Sequence, residues 1–245
     1  MHFFTEQDLS HASSVTLKGD DAHHLIHVLR ARCGEQAELS DACGRTYLCT
    51  VESLTGGQVR FSVDDEIEGD RELPASVTLY QSIVKGDKMD LIIQKAVELG
   101  AARIVPVITG RTVARPDEKS ARRKQERWQK IAASAAEQCG RARIPEVAPV
   151  CPFDEALLEA ERADRFLFPY ECASGMDQTR SVLTEIEAGS SVAVMIGPEG
   201  GFKLSEVEKA RDAGACILTL GSRILRAETA ALTALSWLVY QLEEM

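Results

Sequence analysis

The stretch Ser191-Val-Ala-Val-Met-Ile-Gly-Pro-Glu-Gly-Gly201 contains the pattern that decides the fold. Its first six residues are almost all apolar, which predicts a buried strand. The glycines that follow predict a tight loop, and residues 204–213 have the pattern of a helix. Strands and helices alternate in this way from about residue 75 onwards. The alternation predicts an α/β fold, with a mostly parallel sheet covered by helices on both faces.

The other elements of this region follow from the same periods. The last predicted helix is apolar nearly all round, so we expect it to be buried in the domain and at a subunit interface. The predicted strands are 77–83, 104–108, 166–168, 191–196 and 216–220, and the predicted helices are 87–99, 119–139, 176–187, 204–213 and 228–242.

The first 70 residues have a different pattern, with short strands separated by turn residues such as Asp41-Ala-Cys-Gly44 and Thr55-Gly-Gly57. One helix interrupts them, with Asp20 as its expected N-cap and Leu25, Val28 and Leu29 as its apolar stripe. We expect a small β-barrel over 1–72, ending in an acidic linker at 64–72, and an α/β domain over 73–245. The predicted strands are 36–40, 46–53 and 59–63.

The charge is distributed unevenly along the chain. The net charge is −10 overall, yet residues 73–150 carry +6, whereas 1–72 and 151–245 each carry −8. The densest basic part runs from Arg103 to Lys130. This basic island is either a phosphate-binding surface or a solvated helix face, and the sequence leaves both readings open.

Composition excludes several classes of protein. No apolar run reaches the roughly 18 residues of a membrane span, and the start MHFFTEQDLS does not have the pattern of a signal peptide. The seven cysteines are scattered and never form a C-x-x-C pair, which favours reduced thiols over disulfides or zinc. We therefore expect a cytoplasmic protein without a membrane partner or a metal.

Two predicted strands end in glycine-bearing loops. The first loop, 197–201, matches neither the phosphate loop nor G-x-G-x-x-G, and taken alone its glycines favour a plain strand-to-helix turn over a ligand-binding loop. The second follows Leu218-Thr-Leu-Gly221 and places Ile224 and Leu225 between two arginines, which suggests a flat aromatic ligand such as adenine. Ligands of open α/β sheets bind beyond the carboxyl ends of the strands, so the two loops together predict one site.

At these loops the chain resembles a known family. Met195-Ile-Gly-Pro-Glu-Gly-Gly-Phe202 and Leu220-Gly-Ser-Arg-Ile-Leu-Arg-Ala-Glu-Thr-Ala-Ala-Leu232 are similar to the knotted SPOUT RNA methyltransferases. More narrowly they resemble the ribosomal RNA small subunit methyltransferase E family. His23-His-Leu-Ile-His-Val-Leu-Arg30 and Gln94-Lys-Ala-Val-Glu-Leu-Gly100 agree with that family, and the resemblance extends over nearly the whole chain.

The resemblance implies a fold and an activity. The α/β domain would contain a C-terminal trefoil knot, would bind S-adenosylmethionine in the knot and would pair with a second copy as a homodimer. The N-terminal barrel would be PUA-like and help to bind RNA. The activity would be N3-methylation of a uridine in 16S rRNA, within the 30S subunit. A SPOUT methyltransferase for another RNA, such as tRNA or 23S rRNA, and a non-catalytic RNA-binding protein remain the alternatives.

Individual residues acquire expected roles from the loops and the resemblance. Arg226 is the expected catalytic residue, stabilising negative charge on the uracil oxygens or holding a phosphate, although a salt bridge to Glu199 or Glu228 is the alternative. Glu199 is also the candidate general base. The expected cofactor-binding residues are Ile196, Gly197, Pro198, Glu199, Gly200, Gly201, Leu220, Gly221, Ile224, Leu225 and Thr229, and the expected RNA-binding residues are Arg30, Arg32, Lys85, Arg111, Arg123, Arg127 and Arg141.

Overall fold

The computed structural model describes residues 1–69 and 71–243. The chain forms two compact units, one of Met1–Glu72 with Ala136–Arg143 and one of Leu73–Ala135 with Ile144–Met245. The sequence did not predict that 136–143 would group with the first unit. None of the helices in the described ranges is long and apolar enough to cross a membrane.

The first unit is built on a five-stranded sheet that curls into a half-barrel, in the order β1-β3-β4-β5-β2. The β1–β3 pair is parallel and the other pairs are antiparallel. Strands β1 and β2 were not predicted because they are short and lie at the edges. The strands are β1 (His2–Phe4), β2 (Ser14–Leu17), β3 (Gln36–Ser40), β4 (Thr46–Thr55) and β5 (Gln58–Glu66).

Strand β5 continues into the segment that we predicted to be a linker. Asp65 pairs with Leu48 and Glu66 with Tyr47 across the β4–β5 ladder. The acidic composition of this segment suggested a loop, but pairing with β4, the other strand of the hairpin, overrides local propensity.

The helix of the first unit differs from its prediction. Helix α1 (Gly19–His23) ends early and continues as a π-helical segment, His24–Leu29. Because a π-helical turn contains more residues than an α-helical one, the predicted 3.6-residue stripe breaks up. Leu25 is fully buried, but Val28 and Leu29 are 60% and 42% exposed. Asp20 lies inside the first turn, and Lys18 takes the N-cap position.

The second unit confirms the predicted α/β architecture. Its seven strands are all parallel, in the order β12-β10-β11-β6-β7-β8, with β9 also paired to β7. The trefoil knot stays a prediction. The strands are β6 (Ser76–Ser82), β7 (Arg103–Ile108), β8 (Glu146–Val147), β9 (Cys151–Pro152), β10 (Arg165–Pro169), β11 (Ser191–Ile196) and β12 (Cys216–Leu218).

Helices connect these strands, and their apolar faces supply the rest of the core. Helix α4, which was not predicted, buries Phe153, Ala156, Leu157 and Ala160. Strand β11 is buried from Val192 to Ile196, as expected for a strand with parallel neighbours on both sides. The helices are α2 (Lys88–Glu98), α3 (Glu118–Cys139), α4 (Phe153–Ala160), α5 (Met176–Thr184), α6 (Leu204–Asp212) and α7 (Ala227–Glu243).

Arg141 does not have the role that the sequence suggested. Its side chain is 4% exposed and is paired with Glu72, which is 16% exposed. Its Nε also donates to both oxygens of that carboxylate, at 3.1 and 3.0 Å. This burial gives the RNA-binding assignment of Arg141 no support, and the ion pair instead joins 136–143 to the rest of the first unit.

We expect Arg141→Ala to lower the free energy of unfolding by roughly 3 kcal/mol or more, because it removes the buried guanidinium that pairs with the Glu72 carboxylate. Urea denaturation measures this change. Arg122→Ala is the matched control, since Arg122 forms an exposed i,i+4 pair with Glu118, which contributes about 0.5 kcal/mol or less. Equal losses of stability in the two variants would contradict the structural role of Arg141.

Candidate active site

The order of the strands brings three loops together at one edge of the parallel sheet. Strand β10 lies between β12 and β11, and parallel strands end at the same edge. The residues after β11, after β10 and after β12 therefore surround one cavity of about 540 Å³. This is the site that the two glycine loops predicted, with a third segment between them.

Most of the predicted cofactor residues line this cavity, and Arg226 lies among them. Thr229 does not: it is exposed in the first turn of α7, away from the cavity wall, so its assignment has no geometric support. The predicted residues that line the cavity are Ile196, Gly197, Pro198, Glu199, Gly200, Gly201, Leu220, Gly221, Ile224, Leu225 and Arg226.

Part of the cavity wall was not predicted from the sequence. Pro169 ends β10, Tyr170 and Glu171 follow it, and Lys88 begins α2. The strand at 166–168 was predicted, and ligands bind beyond the carboxyl ends of the strands in such sheets, so the residues after this strand were also candidates. The segment carries no glycine, however, so nothing in its composition singled it out. Further lining residues are Phe202, Thr219, Ser222, Arg223, Ala227 and Ala230.

The first glycine loop is held by side chains from elsewhere in the second unit. The Gly201 amide donates to Pro198 O at 2.9 Å, which closes a tight turn, and Gly201 has φ +66°. Arg111 Nη1 donates to Gly200 O at 2.8 Å. Phe202 packs on Phe168 with ring centroids 4.3 Å apart. The loop is therefore a shaped structure whose glycine backbone faces the cavity without side chains in the way.

The second glycine loop is held through threonines. Thr179 Oγ1 donates to Thr219 O at 3.1 Å and accepts from the Thr219 amide at 3.3 Å. The Gly221 amide donates to Thr219 Oγ1 at 3.2 Å. Gly221 has φ +111°, and a Cβ there would meet no heavy atom within 4 Å. This glycine is therefore required by its backbone conformation, and the space beside it is open.

The two apolar residues of the second loop differ in exposure. Leu225 is half-buried, whereas Ile224 is 86% exposed. Both line the cavity. A contact with a flat ligand at Ile224 stays a prediction.

The charges around the cavity determine which acidic groups are free to react. Glu228 pairs with Lys88 at 3.3 Å. Glu199 Oε1 accepts a hydrogen bond from the Lys85 amide at 3.0 Å. Partial burial raises the pKa of Glu199. This hydrogen bond and the charges of Lys88 and Lys85 lower it by a larger amount, so the pKa of Glu199 lies below the ordinary value. Such a carboxylate is a weak base.

Arg226 is left without an ion pair among the described residues. It is exposed at the cavity wall, and both carboxylates that we considered as partners, Glu199 and Glu228, make other contacts. The salt-bridge alternative for Arg226 therefore has no support in the structure.

The other predicted RNA-binding residues fall into separate groups. Arg30 and Arg32 are exposed in the first unit. In the second unit, Lys85 and Arg111 contact the first glycine loop. The remaining two lie on α3.

On α3, Arg123 is exposed, and no partner of its side chain is found in the described part of the chain. Arg127 instead pairs with Asp90 and lies 3.8 Å from Asp87. Lys130 is exposed, seven residues after Arg123 and hence on the same face of the helix. Arg123 and Lys130 are therefore solvated cations of this face.

Comparisons with known proteins agree with this geometry. Residues 71–239 match the family described as RNA methyltransferase domain, and residues 17–64 match the RNA methyltransferase PUA domain. The second match confirms the PUA-like character predicted for the N-terminal unit.

The chain is also similar over its whole length to individual proteins. It is 36% identical to ribosomal RNA small subunit methyltransferase E of Bacillus subtilis, over 98% of this chain and 94% of the relative. The structure of the same enzyme from Neisseria gonorrhoeae, bound to S-adenosylmethionine, superposes with a TM-score of 0.82 at 34% identity and covers 96% and 94% of the two chains. A Legionella pneumophila methyltransferase structure with bound cofactor gives a TM-score of 0.85 at 33% identity, covering 97% and 96%.

Gly221→Val is expected to weaken the binding of S-adenosylmethionine, the cofactor expected from the sequence, at least about tenfold, or roughly 1.4 kcal/mol, because it adds a side chain to the cavity wall. Isothermal titration calorimetry measures the affinity. Gly214→Val is the matched control: Gly214 also has positive φ (+79°) and open space around its Cβ position, but it does not line the cavity. If both variants lose affinity equally, backbone strain rather than position in the cavity explains the effect.

Proposed function

Since this chain belongs to the ribosomal RNA small subunit methyltransferase E family of RNA methyltransferases, we propose that it transfers the methyl group of S-adenosylmethionine to N3 of a specific uridine in 16S rRNA. The observation that carries the proposal is the cavity at the carboxyl ends of β12, β10 and β11, walled by two glycine loops. Mass spectrometry of 16S rRNA from cells with and without the protein tests it. Unchanged N3-methyluridine would refute it.

The cavity fits the proposed cofactor. S-adenosylmethionine supplies an electrophilic methyl group on its sulfonium, and the transfer mainly requires that donor and acceptor be held in line. The glycines of the two loops leave backbone groups within reach of a ligand, and the open space beside Gly221 is one that a side chain would fill. Leu220 and Leu225 line the same wall. These residues would hold the adenosine and methionine parts.

Arg226 is the residue that we assign to the chemistry. Uracil N3 bears a proton, and methylation requires that the anionic form be stabilised or that a base remove the proton. The Arg226 guanidinium is permanently charged and unpaired within the described residues, and its planar fork suits two oxygens of a base or a phosphate. Arg226 would therefore stabilise the uracil anion.

Glu199 does not suit the role of general base. Its carboxylate is engaged by the Lys85 amide, and its lowered pKa opposes proton uptake. Its position instead ties the first glycine loop to the segment before α2. We therefore propose a positioning role for Glu199.

The partners follow from the substrate. The RNA would be 16S rRNA within the 30S subunit, which implies a cytoplasmic enzyme. A homodimer is supported by α7, where Tyr240 is 68% exposed, and by the neighbouring α2, where Leu91 is 43% exposed. An enzyme acting on tRNA or 23S rRNA would methylate those RNAs in place of 30S subunits, and a non-catalytic RNA-binding protein would not bind S-adenosylmethionine.

Arg226→Ala is expected to reduce turnover on 30S subunits by about 10²-fold or more, the scale of losing one charge-stabilising donor. Arg226→Lys should recover only part of the loss, since an ammonium keeps the charge without the planar fork. Methyl transfer from labelled cofactor measures turnover, and calorimetry should show an unchanged cofactor affinity. Wild-type turnover of folded Arg226→Ala would remove this residue from the chemistry.

The basic face of α3 is expected to bind RNA phosphates. Arg123→Gln with Lys130→Gln should weaken binding to 30S subunits. The slope of log affinity against log salt concentration should become shallower, since each lost phosphate contact releases fewer counterions. Arg127 is left unchanged because it pairs with Asp90. The control is Arg162→Gln with Arg211→Gln, two exposed arginines of the same unit outside α3. Equal affinities of both double variants at several salt concentrations would show that this face is only solvated.

A further inference from the structure

One acidic side chain of the cavity is not explained by the proposed mechanism. Glu171 follows β10, the strand between the two glycine loops, and lines the cavity. Its carboxylate lies directly against Gly201: a Cβ at Gly201 would lie 3.0 Å from the carboxyl carbon of Glu171. The carboxylate thus lies against the backbone of the first glycine loop, where a Cβ at position 201 would meet it.

This carboxylate has no counter-ion in the described residues. Of the two glutamates that line the cavity, Glu199 accepts a hydrogen bond from the Lys85 amide and lies near the charges of Lys85 and Lys88. Glu171 forms neither an ion pair within 4.0 Å nor a hydrogen bond with any described residue. Of the cations on the cavity wall, Lys88 is paired with Glu228, and Arg223 and Arg226 form no ion pair with Glu171 within 4.0 Å. An uncompensated carboxylate on a cavity wall favours a cationic ligand.

We propose that Glu171 is the counter-ion for the positive charge of the cofactor. The inference rests on the proposed function, because S-adenosylmethionine carries two cations, the sulfonium and the ammonium of its methionine part. Both are attracted by a carboxylate at hydrogen-bonding or contact distance. Contact with the sulfonium would favour substrate over product, since methyl transfer turns the sulfonium into a neutral thioether. Contact with the ammonium would stabilise the bound substrate and the bound product alike, because methyl transfer leaves the ammonium unchanged.

Glu171→Gln tests the proposal because it removes the charge and keeps the shape. Calorimetry of the full-length variant would use three probes: S-adenosylmethionine, S-adenosylhomocysteine, which keeps the ammonium but has no sulfonium, and 5′-methylthioadenosine, which has neither. The affinity for S-adenosylmethionine should fall about tenfold or more, as when a hydrogen bond to a charged group is removed, and that for 5′-methylthioadenosine should not change. If S-adenosylhomocysteine binding is unchanged, Glu171 contacts the sulfonium. If the affinity for S-adenosylhomocysteine falls as much as that for S-adenosylmethionine, Glu171 contacts the ammonium.

The control is Glu208→Gln, which removes an exposed carboxylate on α6 that does not line the cavity. It should leave all three affinities unchanged. The proposal is overturned if Glu171→Gln binds S-adenosylmethionine as tightly as the wild type, or if it loses affinity equally for all three probes, which would indicate a contact with the adenosine part. If the wild-type protein itself gives no heat with S-adenosylmethionine, the proposed function fails instead.

Discussion

The parallel alignment of β12, β10 and β11 is the constraint on which the rest of the second unit depends. Parallel strands need crossover connections, and their carboxyl ends then lie at one edge of the sheet. Each of these strands is followed by a segment that walls the cavity. Because β11 is buried along its length and paired on both sides, a shift by one residue would move each side chain to the opposite packed face and disrupt both ladders. The start of the first glycine loop is therefore held in place by the sheet.

The two glycine loops are held in shape by hydrogen bonds between polar side chains and backbone groups. Arg111 binds the Gly200 carbonyl, Glu199 binds the Lys85 amide, and Thr179 binds both backbone groups of Thr219. These hydrogen bonds satisfy polar groups that would otherwise be available to bind a ligand. Arg226 and Glu171, which lack such contacts among the described residues, are left as a free cation and a free anion of the cavity wall. On our proposals, Arg226 acts in the chemistry and Glu171 acts on the charge of the ligand.

The local sequence pattern predicted an element correctly wherever its hydrophobic residues followed a single clear pattern. The apolar run at 191–196 is strand β11 with the predicted bounds, and the long amphipathic segment is α3. The pattern misled where strand pairing or unusual helical geometry decided the outcome. The residues at 64–66 became strand because β4 lies beside them, and Val28 became exposed because a π-helical segment follows α1. Neither effect has a signature within a short window of sequence.

The sequence by itself determined the α/β class, the two glycine loops and the family resemblance, because each depends on residues close together in the chain. Only the tertiary structure decided what each charged residue does. Arg141 and Arg123 look alike in sequence, yet one is buried against Glu72 and the other is solvated. Glu171 carries no local signal and acquires its position from the strand order that places β10 between the two loops. The environment of a charge is set by neighbours from distant parts of the chain, and for this reason its role could not be predicted from sequence.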